Sequence, residues 1–230
     1  MLFVDNHDIM QKIYVIRGEK MKKTIIAMIM TIWLATLLAA CTGNSTHTTL
    51  TAEQYSFNNA ITVQSGDIIE FGGLDWIVLH IENDQALLLS NNILGQRRFD
   101  ASSNNWESSE MREYLNHSFF TSTFSENERE RIAETELITD GNITVDRIFL
   151  LSRDEFNKYM GADADIYIRN ARIGRFRDTA IWWRLRSPSE HIDIRGRETV
   201  EGVDSAGHFG GAGHVCHVGG GVRPALWLKL

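Results

Sequence analysis

Strict two-residue alternation near the C-terminus constrains this chain more than any other feature. In Ile181 to Ser187, residues Ile181, Trp183, Leu185 and Ser187 fall on one side, and Trp182, Arg184 and Arg186 on the other. Further on, Val222, Pro224, Leu226, Leu228 and Leu230 share a side opposite Arg223, Ala225, Trp227 and Lys229. Both stretches read as half-buried closing strands of one domain. The pattern predicts that Trp182, Arg184, Arg186, Arg223 and Trp227 present aromatic faces and guanidinium groups for ligand binding. Such groups stack on sugar rings or pair with carboxylates and phosphates. They take a structural role instead if a helix covers that face or acidic neighbours pair with the arginines.

Upstream, folding is expected to begin near Gly66. Asp67 to Phe71, Trp76 to Ile81 and Ala86 to Ser90 are apolar runs separated by turn residues, which predicts a three-strand meander with Ile77, Leu79 and Ile81 on its inner face. Asn91 to Trp106 reads as a polar loop. Ser108 or Ser109 can cap a helix whose stripe is Met111, Tyr114, Leu115 and Phe119. Ser125 with Glu128, and Ser152 with Glu155, make capping boxes that open two more short helices, the second running through Tyr159. Arg147 to Leu151 reads as a short strand, and the arginine-rich Gly161 to Thr179 as a surface loop. Beyond Pro188 the glycine density suits short strands joined by tight turns. Strands, then two or three short helices, then strands again make an α+β domain with short antiparallel strands and a glycine-rich loop region.

The N-terminal segment carries an address. Met21, Lys22 and Lys23 form a short basic start, and Thr24 to Ala40 is mostly apolar but short for a membrane span. It ends in Leu38, Ala39, Ala40 and Cys41, which resembles the lipobox of bacterial lipoproteins. That likeness implies cleavage before Cys41 and lipid attachment to its thiol; two or more acyl chains would hold the protein at a membrane. An uncleaved anchor or a buried helix is the other reading. Residues 1–20, with Asp5, Asp8 and Glu19, do not suit a basic signal start, so Met21 is the expected start. The resulting organisation is 21–40 signal peptide, 41–65 flexible tether rich in Ser, Thr and Asn, and 66–230 folded domain. The protein is expected to sit lipid-anchored at the cell membrane, facing away from the cytoplasm. Removing residues 1–40 takes away five basic and three acidic groups, so the net charge of −7 becomes −9. Such an acidic chain offers no footprint for nucleic acid.

Several ordered motifs carry a family likeness: Asn104 to Asn116 (NNWESSEMREYLN), Phe124 to Ile132, Arg147 to Phe156 (RIFLLSRDEF), Leu185 to Pro188 (LRSP) and Gly221 to Leu228 (GVRPALWL). Together they resemble the bacterial domain of unknown function 6273, over roughly Gly66 to Leu230. That family usually shows WWLRSP where this chain has WWRLRSP. Either Arg184 replaces the second tryptophan, or an inserted residue is absorbed by a β-bulge. Replacement is preferred because it keeps Trp183 and Leu185 on one apolar face. The closing motifs are in turn similar to those of the C-type-lectin-like fold shared by formylglycine-generating enzymes. This resemblance implies that the first and last strands pair and that a loop-rich half presents the binding surface.

Little chemistry is legible beyond that. The only prolines, Pro188 and Pro224, lie outside any Glu-Pro-Asn or Gln-Pro-Asp segment, so the calcium-dependent sugar site of C-type lectins is absent. Cys216 alone cannot supply the cysteine pair of a formylglycine-generating enzyme. His208, His214, Cys216 and His217 invite a zinc reading, but the glycines between them offer little rigid support, and no metal or other cofactor is expected. Ser187 and His191 lack a nucleophile-elbow context. Glu198, Glu201 and Asp204 could be imagined as glycosidase carboxylates, although loop acids are usually only solvated. The expectation is a membrane-anchored module binding a glycan or a surface protein; the alternative is a hydrolase acting on cell-wall or surface polymers.

Overall fold

Glycines and short polar turns cut the chain into strands too short to form one wide sheet. The computed structural model describes residues 63–230. Expectations for residues 1–62, Cys41 and the leader among them, lie outside the described residues. Strands β1 (Ile68–Phe71), β2 (Leu74–Glu82) and β3 (Gln85–Ser90) form the expected antiparallel meander. A register shift between Val78 and His80 places a bulge in β2. Trp76, Ile77, Val78 and Leu79 are buried in succession because both faces of the strand are covered, and the expected alternation through Ile77, Leu79 and Ile81 does not hold.

The helices follow their caps. The Ser109 side chain accepts from the Arg112 amide and opens α1, which runs through Glu110–Tyr114, a π-helical turn Leu115–Phe119 and Phe120–Thr123. Met111, Leu115 and Phe119 line its buried side. Both capping boxes are formed, at Ser125 before α2 (Glu126–Arg131) and at Ser152 before α3 (Arg153–Met160). A fourth helix, α4 (Ile166–Asn170), and a small hairpin of β7 (Arg175–Phe176) with β8 (Thr179–Ala180) occupy the stretch expected to be a loop. The Asp165 side chain caps α4 by accepting from the Tyr167 amide at 2.7 Å.

The segment Arg147–Leu151 is not a strand. Arg147 and Ile148 form a bend, and Phe149 makes a single bridge to Ala225. The regular strands lie just before it, β5 (Thr135–Thr139) against β6 (Asn142–Asp146), joined by Asp140 and Gly141 at φ 50° and 80°. An Asp-Gly pair between alternating residues is a direct hairpin signal, and here it is what the chain uses.

Two sheets share the core. β13 (Ala225–Lys229) completes the first, in the order β1-β2-β3-β13. The last strand thus lies beside β3, and the implied pairing of first and last strands is not what forms. The second sheet has the order β11-β10-β9-β12-β4, from β4 (Gly95–Gln96), β9 (Trp183–Ser189), β10 (Thr199–Val203), β11 (Phe209–His214) and β12 (Gly221–Val222). Two connections cross between the sheets side by side: β3 continues into β4 through Asn91–Leu94, and β12 into β13 through Arg223 and Pro224. The result is a mixed, mostly antiparallel domain with four short helices among the described residues, one more than the upper expectation. No helix among them is long and apolar enough to cross a membrane.

Candidate functional site

The arginines expected to face solvent are interior. Arg184, Arg186 and Arg223 are buried, because both faces of β9 and the β12–β13 connection are covered. Arg223 donates from Nε (3.1 Å) and Nη2 (2.9 Å) to the Ser90 carbonyl, from Nη2 to the Asn91 carbonyl (3.3 Å) and from Nη1 to the Ala171 carbonyl (2.7 Å). Its guanidinium lies 4.8 Å from the centre of the Trp183 ring. Burial pushes its pKa down to about 9, so it stays cationic at neutral pH, held by main-chain dipoles. Arg186 forks onto Glu155 and also donates to Thr139 Oγ1 (2.8 Å) and the Leu150 carbonyl (2.7 Å). Arg184 donates to the carbonyls of Arg97, His214 and His217, and burial lowers its pKa to about 10.

The two tryptophans are half-buried. Trp182 lies between the Arg184 guanidinium, 4.7 Å from the ring centre, and His217, at 6.1 Å. Gly213 and Gly220 permit this packing, since a Cβ on either would enter the Trp182 ring or the Arg184 guanidinium. Trp227 meets the edge of His80 at 6.4 Å and packs on the core. An exposed aromatic and guanidinium face is therefore corrected to an internal lattice. The bulge considered for the WWRLRSP departure is present: between the pairs Val200↔Pro188 and Gly202↔Arg184, β9 carries the longer stretch. Trp183, Arg184 and Leu185 are all fully buried.

The histidines and Cys216 do not assemble. His208 is exposed, with Nδ1 3.3 Å from Asp204. His214 Nδ1 is buried without a hydrogen bond, 3.5 Å from Asp193. Cys216 Sγ lies 3.9 Å from Arg197 Nη1. Among the described residues no group of three or more His, Cys, Asp or Glu side chains could hold a metal. The imagined carboxylates are also occupied. Glu201 pairs with Arg153, Glu198 accepts the Asn104 amide at 2.7 Å, and Asp204 accepts the Ala206 and His208 amides at 2.8 Å each.

Asp193 organises the loop that follows β9. It accepts the Arg195 amide (2.9 Å), the Arg197 amide (2.7 Å) and Arg197 Nε (2.7 Å). Burial acts to raise its pKa, but the Arg197 amide and guanidinium and the Arg195 amide outweigh it and hold the carboxyl down to about 2. The folded value lies below the unfolded value of about 3.9, so this clamp stabilises fully above the latter and is lost as pH falls towards the former. The Arg195 and Arg197 amide resonances should titrate with a midpoint near 2. A midpoint near 4 would mean the clamp is absent in solution.

What stays open is a polar cleft of about 400 Å³ lined by Asn104, Asp140, Arg153, Asp154 and Ser187–Glu190. Four distant segments build it. Asp140 comes from the β5–β6 turn, Arg153 and Asp154 from the first turn of α3, and Ser187–Glu190 from the end of β9. The Arg153 amide donates to Ser187 Oγ at 2.9 Å, joining two walls. Its guanidinium is neutralised by Glu201. Asp140, Asp154 and Glu190 carry no ion pair among the described residues. Hydrogen-bond acceptors thus dominate the free groups. The sequence marked none of this lining as a ligand group, although Asn104, Arg153, Asp154, Ser187 and Pro188 fall inside the recurring motifs.

A family model described as Domain of unknown function (DUF6273) matches residues 83–230, well over half of the chain. The match covers every motif from Asn104 to the last strand and leaves the opening strand outside it. No curated protein and no solved structure matches the chain.

Proposed function

The chain belongs to the family of the domain of unknown function 6273, and from that premise we propose that it is a bacterial envelope lipoprotein whose domain binds a hydroxyl-rich ligand, a glycan, in the polar cleft. The lipobox-like Leu38 to Cys41 supports a lipid anchor on Cys41, which would hold the domain outside the cytoplasm. The observation that carries the binding reading is the cleft itself, where unpaired Asp140, Asp154 and Glu190 face an opening of about 400 Å³. Carboxylates there accept from sugar hydroxyls, and Asn104 adds an amide. The C-type-lectin-like likeness agrees in one respect: the cleft lies among loops and strand ends. A hydrolytic role would need a carboxyl pair with opposed ionisation. Glu198, Glu201 and Asp204, the carboxylates first considered for that role, are already engaged.

The test is a glycan and cell-wall fragment screen with the full protein, run with and without chelator. Saturable binding that survives chelator and weakens about tenfold in Asp154→Asn, the loss of one hydrogen bond to a charged group, is expected. In the same cells Cys41→Ala should abolish palmitate labelling. Binding that Asp154→Asn leaves unchanged would remove the cleft from the proposal, and absence of any glycan ligand would transfer the role to a protein partner.

A further inference from the structure

A second cavity lies where the two sheets exchange strands, and it shares no lining residue with the polar cleft. Leu94, Leu115, Phe119, Val222 and Pro224 supply the apolar side of a slot of about 120 Å³, and Gln96, Arg97 and Tyr114 its polar side. A wholly apolar cavity of about 150 Å³ accepts a benzene ring, so this slot has the size of a planar ring seated partway in. Leu115 and Phe119 reach it from the π-helical turn of α1, and such turns concentrate at functional sites. Gly95 leaves the mouth clear, because a Cβ there would touch nothing within 4 Å.

The rim supplies the chemistry. Arg97 lies over the Tyr114 ring, with the guanidinium carbon 3.8 Å from the ring centre, and both residues line the slot. Among the described residues no carboxylate pairs with Arg97, whereas Arg98 beside it is engaged by Glu110 at 2.6 Å. Gln96, also in the lining, has its Nε2 engaged by the Gly219 carbonyl at 2.8 Å. An apolar seat with one pinned, uncompensated guanidinium at its lip fits a molecule with a flat apolar body and a single anionic end. We propose that this slot binds a small aromatic monocarboxylate, its ring against the apolar side of the slot and its carboxylate on Arg97. The site is independent of the glycan cleft and stands or falls separately from it.

Full-length protein in a non-ionic detergent, with detergent alone as control, is titrated into para-fluorobenzoate and followed by fluorine NMR. Saturable binding in the millimolar range is expected for a ligand of about ten non-hydrogen atoms, displaced by unlabelled benzoate. Para-fluorobenzyl alcohol, which keeps the ring and lacks the charge, should bind at least about tenfold more weakly. Arg97→Gln, an exposed change, should lower the affinity of the acid by a similar factor and erase its advantage over the alcohol. Trifluoroacetate, which keeps the charge and lacks the ring, should compete poorly. The proposal is overturned by unsaturable binding, by an Arg97→Gln protein that binds the acid as the wild type does, or by trifluoroacetate competing as well as benzoate.

Discussion

Replacing Arg223 by methionine is expected to destabilise the domain by about 3 kcal/mol, because the buried Ser90 carbonyl and the partly buried Asn91 and Ala171 carbonyls lose a donor at roughly 1 to 3 kcal/mol each. Those carbonyls belong to Ser90, Asn91 and Ala171, so one side chain ties the end of β3, the start of the crossing into β4 and the residue after α4. Relief from burying a cation offsets part of the loss. Urea unfolding should show a lower midpoint with little change in slope, the mark of altered stability rather than altered surface exposure. Arg223→Lys should recover little, since an ammonium cannot place a planar fork across separate acceptors. A midpoint for Arg223→Met equivalent to less than about 1 kcal/mol of destabilisation would mean the crossing is held by packing alone. The pH signature is also defined. With the folded value near 9 and the unfolded one higher, the folded state releases its proton first, and the charge-burial cost falls as pH rises above 9. At neutral pH that cost is fully present.

The parts of this fold that were legible in the sequence are those whose causes are local. Ser109, Ser125 and Ser152 cap helices because a hydroxyl and a following amide lie three residues apart, and Glu128 and Glu155 complete their boxes within the same turn. The meander follows from apolar runs between turn residues. The arginines misled because period-two alternation marks two faces without saying what covers each, and the acceptors that hold Arg184 and Arg223 are main-chain oxygens, which no residue type announces. The motif from Asn104 to Asn116 behaves the same way. Trp106 Nε1 and Arg112 Nε both reach the buried Asp146 carboxylate, at 2.9 and 2.7 Å. Asn116 binds the Arg147 amide (2.8 Å) and the Ile148 carbonyl (2.9 Å) through opposite ends of one amide group. These residues fasten α1 to the segment after β6. The recurring motifs thus carry both fasteners and cleft residues: Asn104, Arg153, Asp154, Ser187 and Pro188 line the cleft from within them, and its walls come from segments whose approach only the folded chain defines. The Asp140-Gly141 hairpin is the exception: its signal was local and available, and it brings Asp140 to the cleft.

Glu155→Gln is expected to cost about 3 to 5 kcal/mol, the usual penalty for leaving one partner of a buried ion pair alone. Arg186 has a side chain only 2% exposed, whereas that of Glu155 is 24% exposed. The asymmetry decides which partner matters more. Without Glu155 the cation has no route to water; without Arg186 the carboxylate can hydrate and still accept the Ser152 amide of its capping box, now at 2.8 Å. Arg186→Met should therefore cost less than Glu155→Gln, and the double variant less than the sum of the two. A double-variant cycle reads the coupling directly, in the range of about 0.5 to 3 kcal/mol for residues in one network. Additive losses would show that the pair contributes no coupling and that Thr139 and Leu150 alone hold the guanidinium. The cycle also bears on function. Arg186 immediately precedes Ser187, whose hydroxyl accepts the Arg153 amide across the cleft. Loosening Arg186 must move that wall, so any ligand affinity lost in Arg186→Met would follow from displacement of Ser187–Glu190. Asp154→Asn leaves the ion pair intact, and a loss of binding there reports on the cleft itself.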